Sequence, residues 1–121
     1  MHKVLIALGS NERQSVHITW ASERLSALMG DGVLLSRRLW TTDVKGSGKW
    51  YQNRLVAGYT SLSCEELTQV LKTFEQQCRR TKEKVTLDAD LLQYDGVKYH
   101  LNDWPRPYVQ QLLADVTMFF E

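Results

Sequence analysis

Ser63-Cys64-Glu65-Glu66-Leu67-Thr68-Gln69-Val70-Leu71-Lys72-Thr73-Phe74-Glu75-Gln76-Gln77-Cys78 and, after a basic stretch, Thr86-Leu87-Asp88-Ala89-Asp90-Leu91-Leu92 read as a helix handing over to a strand. Ser63 and Glu66 fit a capping box, in which hydroxyl and carboxylate each satisfy a free backbone amide of the other residue. Leu62 and Leu67 are placed as a hydrophobic staple, and Val70, Leu71, Phe74 and Cys78 continue one apolar stripe. Arg79 and Arg80 fall in the expected last turn, where cations complement the helix dipole. On a strand, positions i and i+2 share a face. Asp88 and Asp90 therefore project together, while Leu87, Ala89 and Leu91 enter the other layer.

Toward the N-terminus, residues 3–8 form a short apolar run ending at Gly9, consistent with a buried strand. Ile18, Ala21, Leu25, Leu28 and Met29 recur at helical spacing, which predicts a helix over 16–29 closed by Gly30. Residues 33–42 and 54–61 read as two strands around the turn-forming Lys45-Gly46-Ser47-Gly48-Lys49. Toward the C-terminus, the strand runs over 86–94. Asp95-Gly96 signals a type I′ hairpin into Val97-Lys98-Tyr99-His100, and a last helix spans about 108–116. The expected fold is α+β: a ferredoxin-like βαββαβ sandwich with an appended β-hairpin and C-terminal helix.

At 121 residues and 14.0 kDa the chain fits a single domain, 1–121, whose core needs no disulfide or metal. A net charge of +1 argues against a nucleic-acid binder. No apolar run nears the ~20 residues that would span a bilayer, and the N-terminus lacks a signal-peptide pattern. The expectation is a cytoplasmic protein with no membrane partner. Cys64 and Cys78 mark opposite ends of one helix, about 21 Å apart at the helical rise, which excludes a bridge between them.

Arg79, Arg80, Lys82 and Lys84 lie just before Asp88 and Asp90. Paired hard oxygen ligands suit Mg²⁺, and neighbouring cations suit the rest of a polyphosphate. A solvated strand face whose acids pair with nearby lysines is the alternative. Gly9-Ser10-Asn11 reads as a strand-to-helix turn, and neither glycine-rich phosphate motif occurs. Tyr51-Gln52-Asn53 offers an aromatic face and an amide for a heterocycle edge, or simply starts a strand. Trp104-Pro105-Arg106-Pro107 is rigid and either presents Arg106 or brackets the last helix. His2, His17 and His100 are scattered without metal-ligand spacing and read as surface residues.

Ile6-Ala7-Leu8-Gly9-Ser10-Asn11, Tyr51-Gln52-Asn53, Glu65-Glu66-Leu67, Phe74-Glu75 and Thr86 to Leu92 occur in this order. In this the chain resembles the 6-hydroxymethyl-7,8-dihydropterin pyrophosphokinases, folate-pathway enzymes that move pyrophosphate from ATP to a pterin alcohol. The resemblance implies ATP with Mg²⁺ as cofactor and ATP and a pterin as small-molecule partners. It implies that Asp88 and Asp90 hold metal, with Lys82 beside them in catalysis. Glu75, Arg80, Lys82, Leu91 and Arg106 would bind ATP, and Thr42, Tyr51, Asn53 and Tyr108 would bind the pterin. The family's longer Arg-Trp-Gly-Pro-Arg loop is replaced by Glu83-Lys84-Val85, and its Pro-His motif after the hairpin is absent. Asp43 stands where a proline is usual. A non-catalytic nucleotide or heterocycle binder, or an interaction module that keeps only the fold, are the alternatives these departures leave open.

Overall fold

The computed structural model describes residues 1–43 and 45–120, with the backbone alone of Phe120. Its elements are β1 (His2–Ser10), α1 (Gln14–Met29), β2 (Leu34–Leu35), β3 (Leu39–Thr42), β4 (Trp50–Thr60), α2 (Cys64–Gln77), β5 (Asp88–Tyr94), β6 (Val97–Lys98) and α3 (Pro107–Val116), then a 3₁₀ turn over Thr117–Phe120. All strand pairs are antiparallel, in the order β2-β4-β1-β5-β6, with β3 also on β4. The architecture is α+β. No helix among the described residues is long and apolar enough to cross a membrane.

Helices cover both faces of this sheet. Val4, Ile6 and Leu8 of β1 pack with Leu87, Ala89 and Leu91 against Ile18, Ala21 and Leu25 of α1 and Leu67 and Leu71 of α2. Leu5, Leu55, Ala57 and Leu92 pack on the other face against Val109, Leu112 and Val116 of α3. Arg37 ties α3 down from the sheet side, its backbone N–H and its guanidinium both donating to Asp115 at 2.7 and 3.0 Å. The alternation expected of β5 holds from Leu87 to Leu92. A register shift opposite Leu5 and Ile6 then lets Tyr94 share Leu91's face, three residues on.

The structure corrects several boundaries. The strand expected over 33–42 is broken at Ser36. There the hydroxyl accepts from the Leu55 N–H at 2.8 Å, doing a carbonyl's work, while the Ser36 carbonyl turns to the Arg54 guanidinium at 2.9 Å. β4 begins at Trp50 rather than 54, so Tyr51 and Asn53 are strand residues. The strand expected from 86 begins at Asp88. Asp95 and Gly96 adopt the positive φ of the predicted turn, but the returning strand stops at Lys98 and His100 is left-handed (φ 51°).

The helix start is as read: Ser63 accepts from the Glu66 N–H at 3.1 Å, and Glu66 accepts from the Ser63 N–H at 2.9 Å. Its end is not. α2 stops at Gln77, so Arg79 and Arg80 lie beyond the last turn. Arg79 donates its N–H to Gln76 O and Arg80 to Glu75 O, a Schellman closure with Arg79 in the left-handed position at φ 59°. A side chain there costs about 1–2 kcal/mol that glycine avoids. Arg79→Gly is expected to raise stability by about 1 kcal/mol in urea unfolding, with an unchanged slope.

Candidate functional site

The face that α3 shares is only half covered. Along β1 its residues shrink from Leu5 to Ala7 to Gly9, and α3 covers the Leu5 end. At the other end, one cross-strand row reads Leu39, Asn53, Gly9 and Asp88, and the next reads Leu55, Ala7 and Asp90. A cleft of about 1300 Å³ opens over this half. Gly9 is its floor: a Cβ there would stand 3.3 Å from Asn53 Oδ1 and 3.9 Å from Asp88 Cβ.

On one wall, Asp88 and Asp90 project together from β5, joined by Glu75 from α2. One oxygen from each of the three lies within 4.8 Å of the others. Glu75 comes from the helix on the opposite face, and it reaches the site around the edge of β5, where Ala89 donates its N–H to Glu75 Oε2 at 2.9 Å. The Arg80 guanidinium, aimed by the helix closure, donates to both Glu75 Oε2 and Asp88 Oδ1 at 2.9 Å. Burial works against the Arg80 cation, but Asp88 and Glu75 outweigh it and hold its pKa above the ordinary value. Asp90 has no such bond. Burial first, and then the charge of Asp88, push its carboxyl up to about 7. Burial likewise raises Glu75, against the pull of the Ala89 amide and Arg80.

The facing wall is aromatic and amide. Asn53 donates to Thr41 Oγ1 at 2.8 Å and to Leu39 O at 3.3 Å, so β3 takes both its N–H groups and its carbonyl oxygen is turned to Gly9. The Tyr51 hydroxyl accepts from Asn11 Nδ2 at 3.3 Å, and burial raises its pKa. Tyr108, half-buried where α3 begins, is raised to about 12, by burial above all. Arg106 stands beside it, donating to Asp103 Oδ1 at 2.8 Å.

Lys82, Thr42, Tyr51, Asn53, Glu75, Arg80, Asp88, Asp90, Arg106 and Tyr108 all line this one cleft. Leu91 does not. Its side chain is in the core against α1 and α2, because it has the opposite parity to Asp88 and Asp90 on β5. Thr42 is exposed, and Thr41 rather than Thr42 contacts Asn53. Lys82 makes no ion pair among the described residues.

A reading of the sequence missed how the short connection is held. Thr81 and Lys84 close a tight turn through two 3.0 Å bonds. The Asn11 N–H donates to Val85 O and Val85 N–H to Asn11 Oδ1, both at 2.8 Å, pinning that turn to the end of β1. Lys49 Nζ donates to the Glu83 carbonyl from across the cleft. No sequence spacing announces a bond between residues 74 apart. His100 was also missed as a neighbour of Asp90, at 3.9 Å.

The model of 7,8-dihydro-6-hydroxymethylpterin-pyrophosphokinase (HPPK) matches residues 5–118. The chain belongs to the HPPK family. A search of curated proteins found no match. The family span takes in both walls of the cleft and α3. HPPK membership supports transferase chemistry of the pyrophosphokinase class in folate biosynthesis in general.

The raised Asp90 has a consequence for folding. Its pKa is about 7 in the folded chain and near 3.8 in its absence. The folded state therefore holds more protons between those values, and stability falls as pH rises through this window. Glu75, shifted the same way, adds to the fall. Asp90→Asn is expected to flatten the profile and to stabilise the protein at pH 8, read by thermal unfolding at several pH values.

Proposed function

We propose that this protein transfers pyrophosphate from ATP to 6-hydroxymethyl-7,8-dihydropterin, and that residues 1–121 form one ferredoxin-like domain for that task. The observation that carries the reading is the opposition of the two walls: a carboxylate trio with Arg80 on one side, Tyr51 and Asn53 on the other, and Gly9 between. The strand order β2/β3-β4-β1-β5, with α1 and α2 together on one face, supports the ferredoxin-like description. Free, well-separated Cys64 and Cys78 agree with a cytoplasmic location.

The donor set fits Mg²⁺, because all three groups are hard carboxylate oxygens within 4.8 Å. Glu75 Oε2 takes both the Ala89 amide and Arg80, while Asp88 gives only Oδ1 to Arg80, so Asp88 through Oδ2 and Asp90 would hold the ion. A Mg²⁺ ion held there would supply charge neutralisation to polyphosphate oxygens. The chain supplies the rest. Arg80, locked to Asp88 and Glu75, fixes the position of the acid pair, while Lys82 and Arg106 face the phosphates from the rim. The flat face of Tyr51 and the Asn53 carbonyl orient the heterocycle. The pterin's hydroxymethyl oxygen attacks the β-phosphorus in line and AMP leaves, with the alcohol proton passing to solvent. Such transfer is catalysed by positioning and charge rather than by covalent steps.

A second reading, binding without efficient turnover, is favoured by one specific observation. The 81–84 turn is closed on itself and pinned by Asn11, so it offers no segment to fold over the phosphates. Exclusion of water and late cationic contacts are what such a segment contributes.

Two measurements test these readings. Asp88→Asn and Asp90→Asn are each expected to weaken Mg²⁺-dependent binding of an ATP analogue by at least ~10-fold in calorimetry, with circular dichroism unchanged. Nucleotide affinity indifferent to both would overturn the proposal. AMP release is expected to run below about 1 s⁻¹, the low end of ordinary enzymes. Inserting Arg-Trp-Gly-Pro-Arg between Val85 and Thr86, just past the Asn11 clamp, is expected to raise turnover more than Mg²⁺ affinity. Absence of AMP from both proteins with ATP still bound would establish the second reading.

A further inference from the structure

The stretch after β6 departs from a plain hairpin and folds back onto the acid pair. Tyr99 N–H donates to Leu92 O at 2.9 Å, and Trp104 Nε1 donates to Tyr99 O at 2.9 Å, which holds the segment on β5. Within it Asp103 N–H donates to His100 O at 2.8 Å, closing a turn that brings two side chains three residues apart to the same place. That place is beside Asp90. His100 Nε2 lies 3.9 Å from Asp90 Oδ1, and His100 Nδ1 lies 4.0 Å from Asp103 Oδ2. The imidazole thus stands between two carboxylates and beyond hydrogen-bond reach of either. One ligand atom from each of Asp90, His100 and Asp103 lies within 4.8 Å of the others.

Asp103 is oriented for this. Arg106 Nε binds its Oδ1 at 2.8 Å, leaving Oδ2 as the oxygen nearer the imidazole. An outer partner that fixes a carboxylate in this way is a common support for a metal ligand. The donor set differs in kind from that of Glu75, Asp88 and Asp90, because one donor is an imidazole nitrogen. Mg²⁺ is a hard ion held by oxygens, whereas imidazole favours later first-row ions such as Zn²⁺ and Co²⁺.

We propose that Asp90, His100 and Asp103 form a second cation position, contiguous with the Asp88–Asp90 pair and selective for a transition ion over Mg²⁺. It rests on the proposed function only in sharing Asp90, and it requires neither ATP nor turnover. Asp90 would then be shared, its Oδ1 turned to the softer ion on the His100 side and its other oxygen left, with Asp88, for the nucleotide's Mg²⁺.

The full-length protein tests this with metal alone. Zn²⁺ is titrated by calorimetry in the presence of excess Mg²⁺, and Co²⁺ is titrated by visible absorption, which reports nitrogen ligation directly. The unmodified protein is expected to take up one Zn²⁺ that Mg²⁺ does not displace. His100→Asn, which tolerates the left-handed backbone at this position, is expected to weaken Zn²⁺ at least ~10-fold and to shift the Co²⁺ spectrum. Asp103→Asn should weaken Zn²⁺ likewise, while both variants retain Mg²⁺-dependent binding of an ATP analogue. Asp88→Asn is expected to lose that nucleotide binding and keep Zn²⁺. Zn²⁺ affinity unchanged in His100→Asn, or full displacement by Mg²⁺, overturns the transition-ion position and leaves the proposed function standing. Loss of Mg²⁺-dependent nucleotide binding in His100→Asn, with Zn²⁺ retained, overturns it too, by making His100 part of the nucleotide site.

Discussion

The Arg80 guanidinium between Glu75 and Asp88 is the contact on which the acidic end of this molecule depends. Glu75, Asp88 and Asp90 converge from a helix and a strand that belong to different layers, and like charges at such separations repel. Arg80 joins two of them at 2.9 Å each and so binds the end of α2 to the start of β5. Its own position is inherited from the helix closure, with Arg79 held in a left-handed conformation to turn the chain. Asp90 is outside that arrangement, and burial first, then the charge of Asp88, raises its pKa.

The sheet makes the cleft by a gradient of side-chain size. One face of β1 carries Leu5, Ala7 and Gly9 in that order, and its neighbours change in step from Ala57 and Leu55 to Asn53. The bulky end gives α3 a surface on which Val109, Leu112 and Val116 are fully buried. The small end gives it nothing to cover, and the helix begins at Pro107, leaving Arg106 and Tyr108 at the boundary. Core and cleft are thus two ends of a single strand face. That is why the apolar half fixes the height of the polar walls.

What was legible in the sequence was local. The capping box at Ser63, the Asp95-Gly96 turn and the shared face of Asp88 and Asp90 each follow from backbone rules spanning a few residues. The family resemblance then named ten of the residues that line the cleft. What was illegible depends on the meeting of distant segments. Glu75 reaches Ala89 only because the edge of β5 is unpaired there, and Asn11 finds Val85 only once β1 and β5 are side by side. Ser36 replaces a ladder carbonyl with its hydroxyl, which no alternation of apolar residues reveals. His100 looked solitary because its partners are ten residues before it, across a hairpin, and three residues after it, around a turn. Leu91, carried over as a motif position, turns its side chain into the core because of its strand parity.

The pinned turn at 81–84 has a bearing on the order of slow steps. Enzymes that fold a segment over their reactants must unfold it again, and that reopening often governs how fast they cycle. In the transfer proposed above, Asn11 and the internal Thr81–Lys84 bonds leave that connection nothing to reopen, so AMP and the pyrophosphorylated product would face the same open cleft by which the reactants entered. The bond-making step of that proposed reaction would then be the slowest. Rapid mixing would then show product accumulating linearly from the first turnover, without an initial burst, and the Michaelis constants would approach true dissociation constants.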